Sequence, residues 1–264
     1  MKRAIVLVLL VVVLAVGSSC KGSPVSPSTS REQPTARLST AHFQLLADRV
    51  DSAALTGIAD ALEASYSRIT SDLRVTNLPA IAVWIWQDSA SYYNDMQATF
   101  GTSYSHEILR SEVDWGYLRP SNEISLLVPS NAGTASIAQN AVHEFAHVVM
   151  MAINPSIPHR PPWLWEAVAV YENGQFVDPT TLPFMRGGCP SLDSLDNDTE
   201  HNRGTQIYQV GFLLGEYIVQ TWGQDGLVRL IQGTGDVETV FGMTWAAFES
   251  GWHAFVRDKY HVPA

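Results

Sequence analysis

The chain has 264 residues, 46% hydrophobic and 16% charged, which supplies a core for one or two domains and excludes wholesale disorder. Acidic residues outnumber basic ones 26 to 16, a net charge of −10 that argues against a nucleic-acid partner, because phosphate binding needs a basic surface. Two cysteines exclude a disulfide scaffold, and 18 glycines with 14 prolines exclude collagen-like sequence.

Met1, Lys2 and Arg3 form a basic start to an unbroken apolar run, Ala4 to Val16. The run is shorter than the roughly 20 residues a membrane helix needs. The small residues Gly17, Ser18 and Ser19 follow it, so residues 1–19 have the pattern of a secretory signal and predict export. Val16 to Cys20 is similar to a bacterial lipobox, with Gly17 standing where leucine is usual. That similarity implies a lipid on Cys20 and anchoring at the cell envelope, the only membrane contact expected. Ordinary cleavage to a secreted or periplasmic protein, or a Cys20–Cys189 disulfide, are the alternatives. Residues 20–37 are rich in Ser, Thr and Pro, and read as a tether. Residues 38–264 then form the folded domain.

His42 to Ala47 alternates weakly and predicts a strand. From Asp51, a candidate N-cap, Leu55, Ile58, Leu62, Tyr66, Ile69 and Leu73 recur at helical spacing. Ala80 to Gln87 predicts a strand covered on both faces, because Ile81, Val83 and Ile85 alternate with Trp84 and Trp86. Ser89 to Phe100 predicts a short helix. Val113–Leu118 and Glu123–Val128 predict strands joined by a turn at 119–122. The second of these is either an edge strand open to an extended peptide or an internal strand. Ser136 to Ile153 predicts a helix opened by a capping box of Ser136 and Gln139. Four prolines, at 155, 158, 161 and 162, end it. Trp163 to Glu172, Thr205 to Thr221, Leu227 to Gln232 and Trp245 to Tyr260 predict further helices. The acidic run 193–200 reads as a solvated loop, with Ca²⁺ binding the alternative although the EF-hand pattern is incomplete. Strands and helices first, then helices alone, predict an α+β fold.

His143-Glu144-Phe145-Ala146-His147 carries the chemistry. Residues four apart lie about 40° apart around a helix, so His143 and His147 share a face and can bind one Zn²⁺ together. Glu144 lies about 100° round from His143, placed to reach a water on the metal without occupying it. Glu166 follows His147 after 18 residues and stands in an otherwise apolar helix, where a carboxylate is costly unless it is paired or bound to metal. Two imidazoles and one carboxylate leave a fourth position open, which is the catalytic pattern. The remaining histidines, 42, 106, 159, 253 and 261, lack ligand spacing. The tryptophans read as core, with Trp84, Trp86 and Trp115 as candidates to line a cleft.

The two motifs, His143 to His147 and Trp163 to Tyr171, resemble those of gluzincins, the thermolysin-like branch of zinc metallopeptidases. The resemblance implies a zincin-like fold: a small mixed sheet with helices, an active-site helix, and a helical C-terminal half. It implies Zn²⁺ on His143, His147 and Glu166, with Glu144 as general base toward a zinc-activated water, and a peptide or protein substrate. Downstream of the third ligand this family often uses a Tyr or His to stabilise the oxyanion; the candidates are Tyr208 and His201. Ala167 stands where the family has Gly, and Val170 where thermolysin has an acid that orients a histidine. The aminopeptidase signature before the zinc helix is absent at 121–123, so an endopeptidase is expected. The alternative is a zinc-binding, non-hydrolytic surface lipoprotein that holds a peptide or cell-wall partner. Glu144 favours the enzyme, because a binding protein needs no base beside the metal.

Overall fold

A computed structural model describes residues 34–47, 49–101, 116–119, 122–129, 133–158, 160–200 and 206–262. The signal, Cys20 and most of the tether lie outside these residues. So do Trp115, His106, His159 and His201.

Five strands form one mixed sheet, β1 (Thr35–Ser39), β2 (Phe43–Ala47), β3 (Ile81–Trp86), β4 (Gly116–Arg119) and β5 (Glu123–Leu127), in the order β1-β2-β3-β5-β4. The central strands β2, β3 and β5 are parallel, and β1 and β4 close the two edges antiparallel to their neighbours. One expectation changes here, and one open alternative is decided. Residues 35–37, assigned to the tether, belong to β1, because Thr35 and Ala36 pair with Ala47 and Leu46. The strand 123–127 is internal rather than an edge, and β4 holds the edge instead. Its interior place suits its sequence, since Ile124, Ser125, Leu126 and Leu127 are all buried.

The helices described are α1 (Ser52–Asp72), α2 (Ser89–Phe100), α3 (Thr134–Ile153), α4 (Pro162–Glu172), α5 (Leu192–Glu200), α6 (Gln206–Gln232), α7 (Val237–Phe241) and α8 (Trp245–Tyr260). Asp51 caps α1 as its position predicts, its Oδ1 accepting from the Ala54 N–H at 2.9 Å. The expected cap at Ser136 does not form. Helix α3 starts two residues earlier, with the extended Gly133 in the N-cap position, so Ser136 lies inside the first turn. Helix α6 runs through both expected segments and is broken only at Gly223, whose φ of 70° and ψ of 176° are not helical. No helix among the described residues is long and apolar enough to cross a membrane.

The period of β3 builds two cores. Ile81, Val83 and Ile85 join Ile124 and Leu126 of β5 in the main core, which continues through α1, α3, α4, α6 and α8. On the other face Trp86 and Leu127 pack with Tyr92, Tyr93 and Met96 of α2. Trp84 and Trp86 serve that second layer. Their indole N–H groups donate to Glu123 Oε2 at 2.7 Å and Ser125 Oγ at 3.0 Å. The α+β architecture is therefore a mixed sheet with α2 on one face and the main core on the other.

Candidate metal centre

Helix α3 is apolar on nearly every side, and Ala141, Phe145, Ala146, Val148 and Val149 are fully buried. It lies between α1, the sheet strands β4 and β5, and α4. His143 and His147 project from it one turn apart. Helix α4 reaches the same place from a turn rich in proline. Pro162 opens it, and a proline at that point lacks the N–H that would have gone unused. Pro161 offers no capping side chain, so the cap comes from elsewhere: Asp196 Oδ1 on α5 accepts from the Trp163 N–H at 2.7 Å. Glu249 on α8 in turn accepts from Leu192 N–H at the start of α5, also at 2.7 Å. The far end of α4 closes on Gly174, at φ 73°, with hydrogen bonds from Gly174 N to Tyr171 O and from Gln175 N to Val170 O.

These supports bring three donor atoms together. His143 Nε2 lies 3.0 Å from His147 Nε2 and 3.2 Å from Glu166 Oε2, and His147 Nε2 lies 3.7 Å from Glu166 Oε2. Ligand bonds of about 2.0–2.1 Å at the tetrahedral angle place ligand atoms about 3.3 Å apart. The three observed separations straddle that value, so the group fits one small metal ion without rearrangement. All three residues are buried. It is the one such group of three among the described residues, and no fourth His, Cys, Asp or Glu among them joins it.

Burial works against a charged Glu166, yet hydrogen bonds and charge from His143 and His147 outweigh it and hold the carboxyl far below the usual range. Burial likewise opposes protonation of His143, but the Glu166 hydrogen bond and the charges of Glu166 and Glu144 raise its pKa. The pocket is thus electron-rich and suits a cation. Trp165 stacks on the His147 ring at 3.9 Å and 6°, which fixes its plane. Val170, four residues after Glu166, is buried and offers no hydrogen-bonding group to either imidazole.

Glu144 is buried beside these groups. Its carboxylate lies directly over Gly116 of edge strand β4. A Cβ at Gly116 would stand 2.6 Å from Glu144 Oε1 and 2.9 Å from Asn140 Nδ2, so a larger residue here would push both side chains aside. Tyr208, at the start of α6, comes to the rim, its ring 6.0 Å from that of His143 and 36% exposed. His201, its alternative, lies outside the described residues.

The close partner of Ala167 is Gly211 on α6. A Cβ there would stand 3.1 Å from the Ala167 Cα, and one at Gly215 would overlap Tyr171. The close approach of α4 and α6 is thus made by a glycine of α6, one turn beyond Tyr208. Gly211 and Gly215 are spaced for one helix face, a signal that was available in the sequence. Gly116 inside a strand pattern was another.

The acidic run 193–200 corrects its expectation. It lies in helix α5, not a loop, with Leu192 and Leu195 fully buried and Asp196 capping α4. Cys189 is half-buried, while Cys20 lies outside the described residues. Of the other histidines, His42 pairs with Glu63 at 2.7 Å and stacks on Tyr66, and His253 meets the Pro190 carbonyl. His261 ends α8 in the left-handed conformation. None of these three joins the cluster. No protein-family model matches the sequence, and no curated protein is similar enough to count as a relative.

Proposed function

We propose that this chain is an exported zinc metallopeptidase of the gluzincin kind, cutting peptide bonds within polypeptides. The observation that carries the reading is the convergence of two imidazole nitrogens and one carboxylate oxygen, with Glu144 buried next to them. Two neutral imidazoles and one carboxylate suit zinc in a catalytic site; a structural zinc site is closed by four protein ligands, commonly cysteines. The mixed sheet, the α3 helix and the helical C-terminal half fit the zincin-like arrangement that the two motifs imply.

When bound, zinc supplies Lewis acidity toward a carbonyl and lowers the pKa of a water to about 7. The other steps belong to the chain. Glu144 takes a proton from the attacking water and returns it to the leaving amine. Its burial keeps that carboxylate away from bulk water. Tyr208 donates its hydroxyl to the oxygen that becomes negative as the carbonyl is attacked. The outer edge of β4 offers backbone groups to an extended peptide passing over Gly116. A lipid on Cys20 holds the enzyme at the cell envelope. Replacing Cys20 by Ser releases the protein from membranes if this holds, and leaves fractionation unchanged if it does not.

The central test measures zinc content and cleavage of a peptide library by residues 33–264, as wild type and as Glu144→Gln. One zinc per chain in both, with cleavage lower in the variant by about 10²–10⁴-fold, is the expected result. Folded protein without zinc would overturn the reading, as would equal cleavage by both forms.

A further inference from the structure

Among the described residues three large apolar side chains are exposed: Phe100, Phe176 and Tyr208. Two of them are the ends of one strip. Tyr208 stands at the metal rim, with its ring 6.0 Å from that of His143. Phe212 follows four residues later, so it lies on the same face of α6, about 6 Å further along the axis. Its ring meets Tyr171 of α4 at 5.3 Å and Phe176 at 5.4 Å. Phe176 backs onto Tyr260 of α8 at 5.8 Å. The rings thus run outward from the metal centre, 36% exposed at Tyr208 and 47% at Phe176.

Phe176 is held in place. It follows the left-handed Gly174 that closes α4, and its N–H donates to the Gly174 carbonyl at 2.9 Å. Its neighbour Gln175 lines a recess of about 370 Å³ that also takes in Gln139 and Asn140 of α3, one turn before His143 and Glu144. Phe176 therefore adjoins the metal centre by two routes, through Phe212 and Tyr208 on α6 and through Gln175 and the recess beside α3. An aromatic ring left in water on a rigid support is a place where a ligand gains by covering it. The exposed area limits what that ligand is. Aromatic side chains bury about 150–250 Å² each when fully covered, so the two exposed ends together offer roughly 100–200 Å². A stable protein partner or a second copy needs about 800 Å² a side. The strip suits one or two side chains.

We propose that this strip is a substrate subsite that takes a bulky apolar or aromatic side chain three to four residues from the bond that is cut, with Phe176 as the residue that selects it. The inference rests on the hydrolytic reading and deepens it by naming the substrate class. The spacing follows from the geometry: Phe176 lies roughly 12 Å from Tyr208, and an extended peptide advances about 3.4 Å per residue. A small polar side chain leaves the Phe176 ring in water. An acidic one gains little at the outer end, where Lys259 is already paired with Glu216 at 2.8 Å and the Tyr260 hydroxyl donates to that same carboxylate.

The test reads binding first. The full chain carrying Glu144→Gln, which keeps peptides intact, is loaded with zinc and titrated with fluorescent peptides of small residues that differ at one position only: Phe, Ser, Glu or Lys. The Phe peptide is expected to bind about 10-fold more tightly than the others. Adding Phe176→Ala is expected to remove that preference while leaving the Ser peptide and the zinc content unchanged, and Phe176→Tyr to keep it. With Glu144 intact, cuts are expected three to four residues from the Phe; cuts next to it overturn the proposal. Equal affinities for the four peptides, a preference for Lys, or a preference that survives Phe176→Ala also overturn it. So does an equal loss for every peptide, which marks Phe176 as structural, and so does a dimer in sedimentation that Phe176→Ala abolishes, which gives the strip to a second copy. The two readings fail separately. Selective binding without cleavage leaves the subsite standing and removes the peptidase; cleavage without selectivity does the reverse.

Discussion

Glu166 and Glu172 lie on the same helix, both buried, and their surroundings push them in opposite directions. Glu166, in the middle of α4, faces two imidazoles and is held far below the ordinary carboxylate range despite burial. Glu172, the last residue of α4, faces α1. Burial raises it to about 7, because its partner Arg68, at 2.9 Å from Oε2, lies half in solvent and Asp72 stands nearby. Glu172 Oε1 is buried without a partner, and Arg68 also donates to the Glu172 carbonyl. A buried acid is thus not itself the mark of a metal site. What separates the two is the partner: two buried imidazoles that meet the same carboxylate in one case, a half-exposed guanidinium in the other.

The sharpest way to break this comparison is to neutralise each acid in turn. Glu166→Gln is expected to weaken zinc binding by more than the roughly 10–100-fold that loss of an outer-shell partner costs, and Glu172→Gln to leave it unchanged. Competition with a chromophoric chelator measures both. Equal losses would mean that α4 responds as a unit and that the contrast is empty.

Removing the cation from the structural end comes next. Arg68→Met leaves Glu172 buried without its counter-charge, and is expected to lower unfolding free energy by about 3 kcal/mol at pH 8. The loss shrinks at pH 5, where Glu172 takes up a proton instead. Denaturant titrations at the two pH values read the difference, and zinc content stays constant.

The two glycines of α6 sharpen the contrast from the other side. Gly215→Ala drives a methyl into Tyr171, beside Glu172, and is expected to cost about 1–3 kcal/mol, partly offset by the helix preference of alanine. Gly211→Ala presses more gently on Ala167, beside Glu166, where the gap is 3.1 Å. It is expected to cost less stability yet to lower peptide cleavage, because it shifts Tyr208 against the site. Thermal melts and cleavage rates on both variants decide whether the two effects separate.

The pH profile reads the same acid without removing its partner. Glu172 binds its proton more tightly when folded, with its pKa raised from 4.5 to about 7. Its contribution to stability is therefore full below about pH 4.5 and is lost as pH rises to about 7. Melting temperature of the wild type is expected to fall across this window relative to Glu172→Gln, and the difference between the two curves isolates this group. Parallel curves would show that Arg68 keeps Glu172 ionised throughout.

Local spacing made the metal group legible. His143 and His147 share a face by helix geometry alone, and the turn rich in proline with the Trp163–Tyr171 helix singled out Glu166 as a costly acid. The starts or ends of α1, α2, α6 and α8 were legible for the same reason, since period, caps and glycine punctuation act over a few residues. Long-range pairing was not. Nothing within 123–128 says which strand lies beside it, so only the sheet made β5 internal and β4 the edge over Glu144. The acidic run 193–200 reads as solvated because its charges dominate locally; burial of Leu192 and Leu195, and the need of α4 for a cap that Pro161 cannot give, made it a helix. Glu172 and Glu144 gained their surroundings from Arg68 and Gly116, residues 104 and 28 positions away. Sequence alone determined which atoms can hold a metal, because that is a property of one turn of helix and one isolated acid. Tertiary structure decided what surrounds them, because desolvation and close approach depend on segments that meet only in the folded chain.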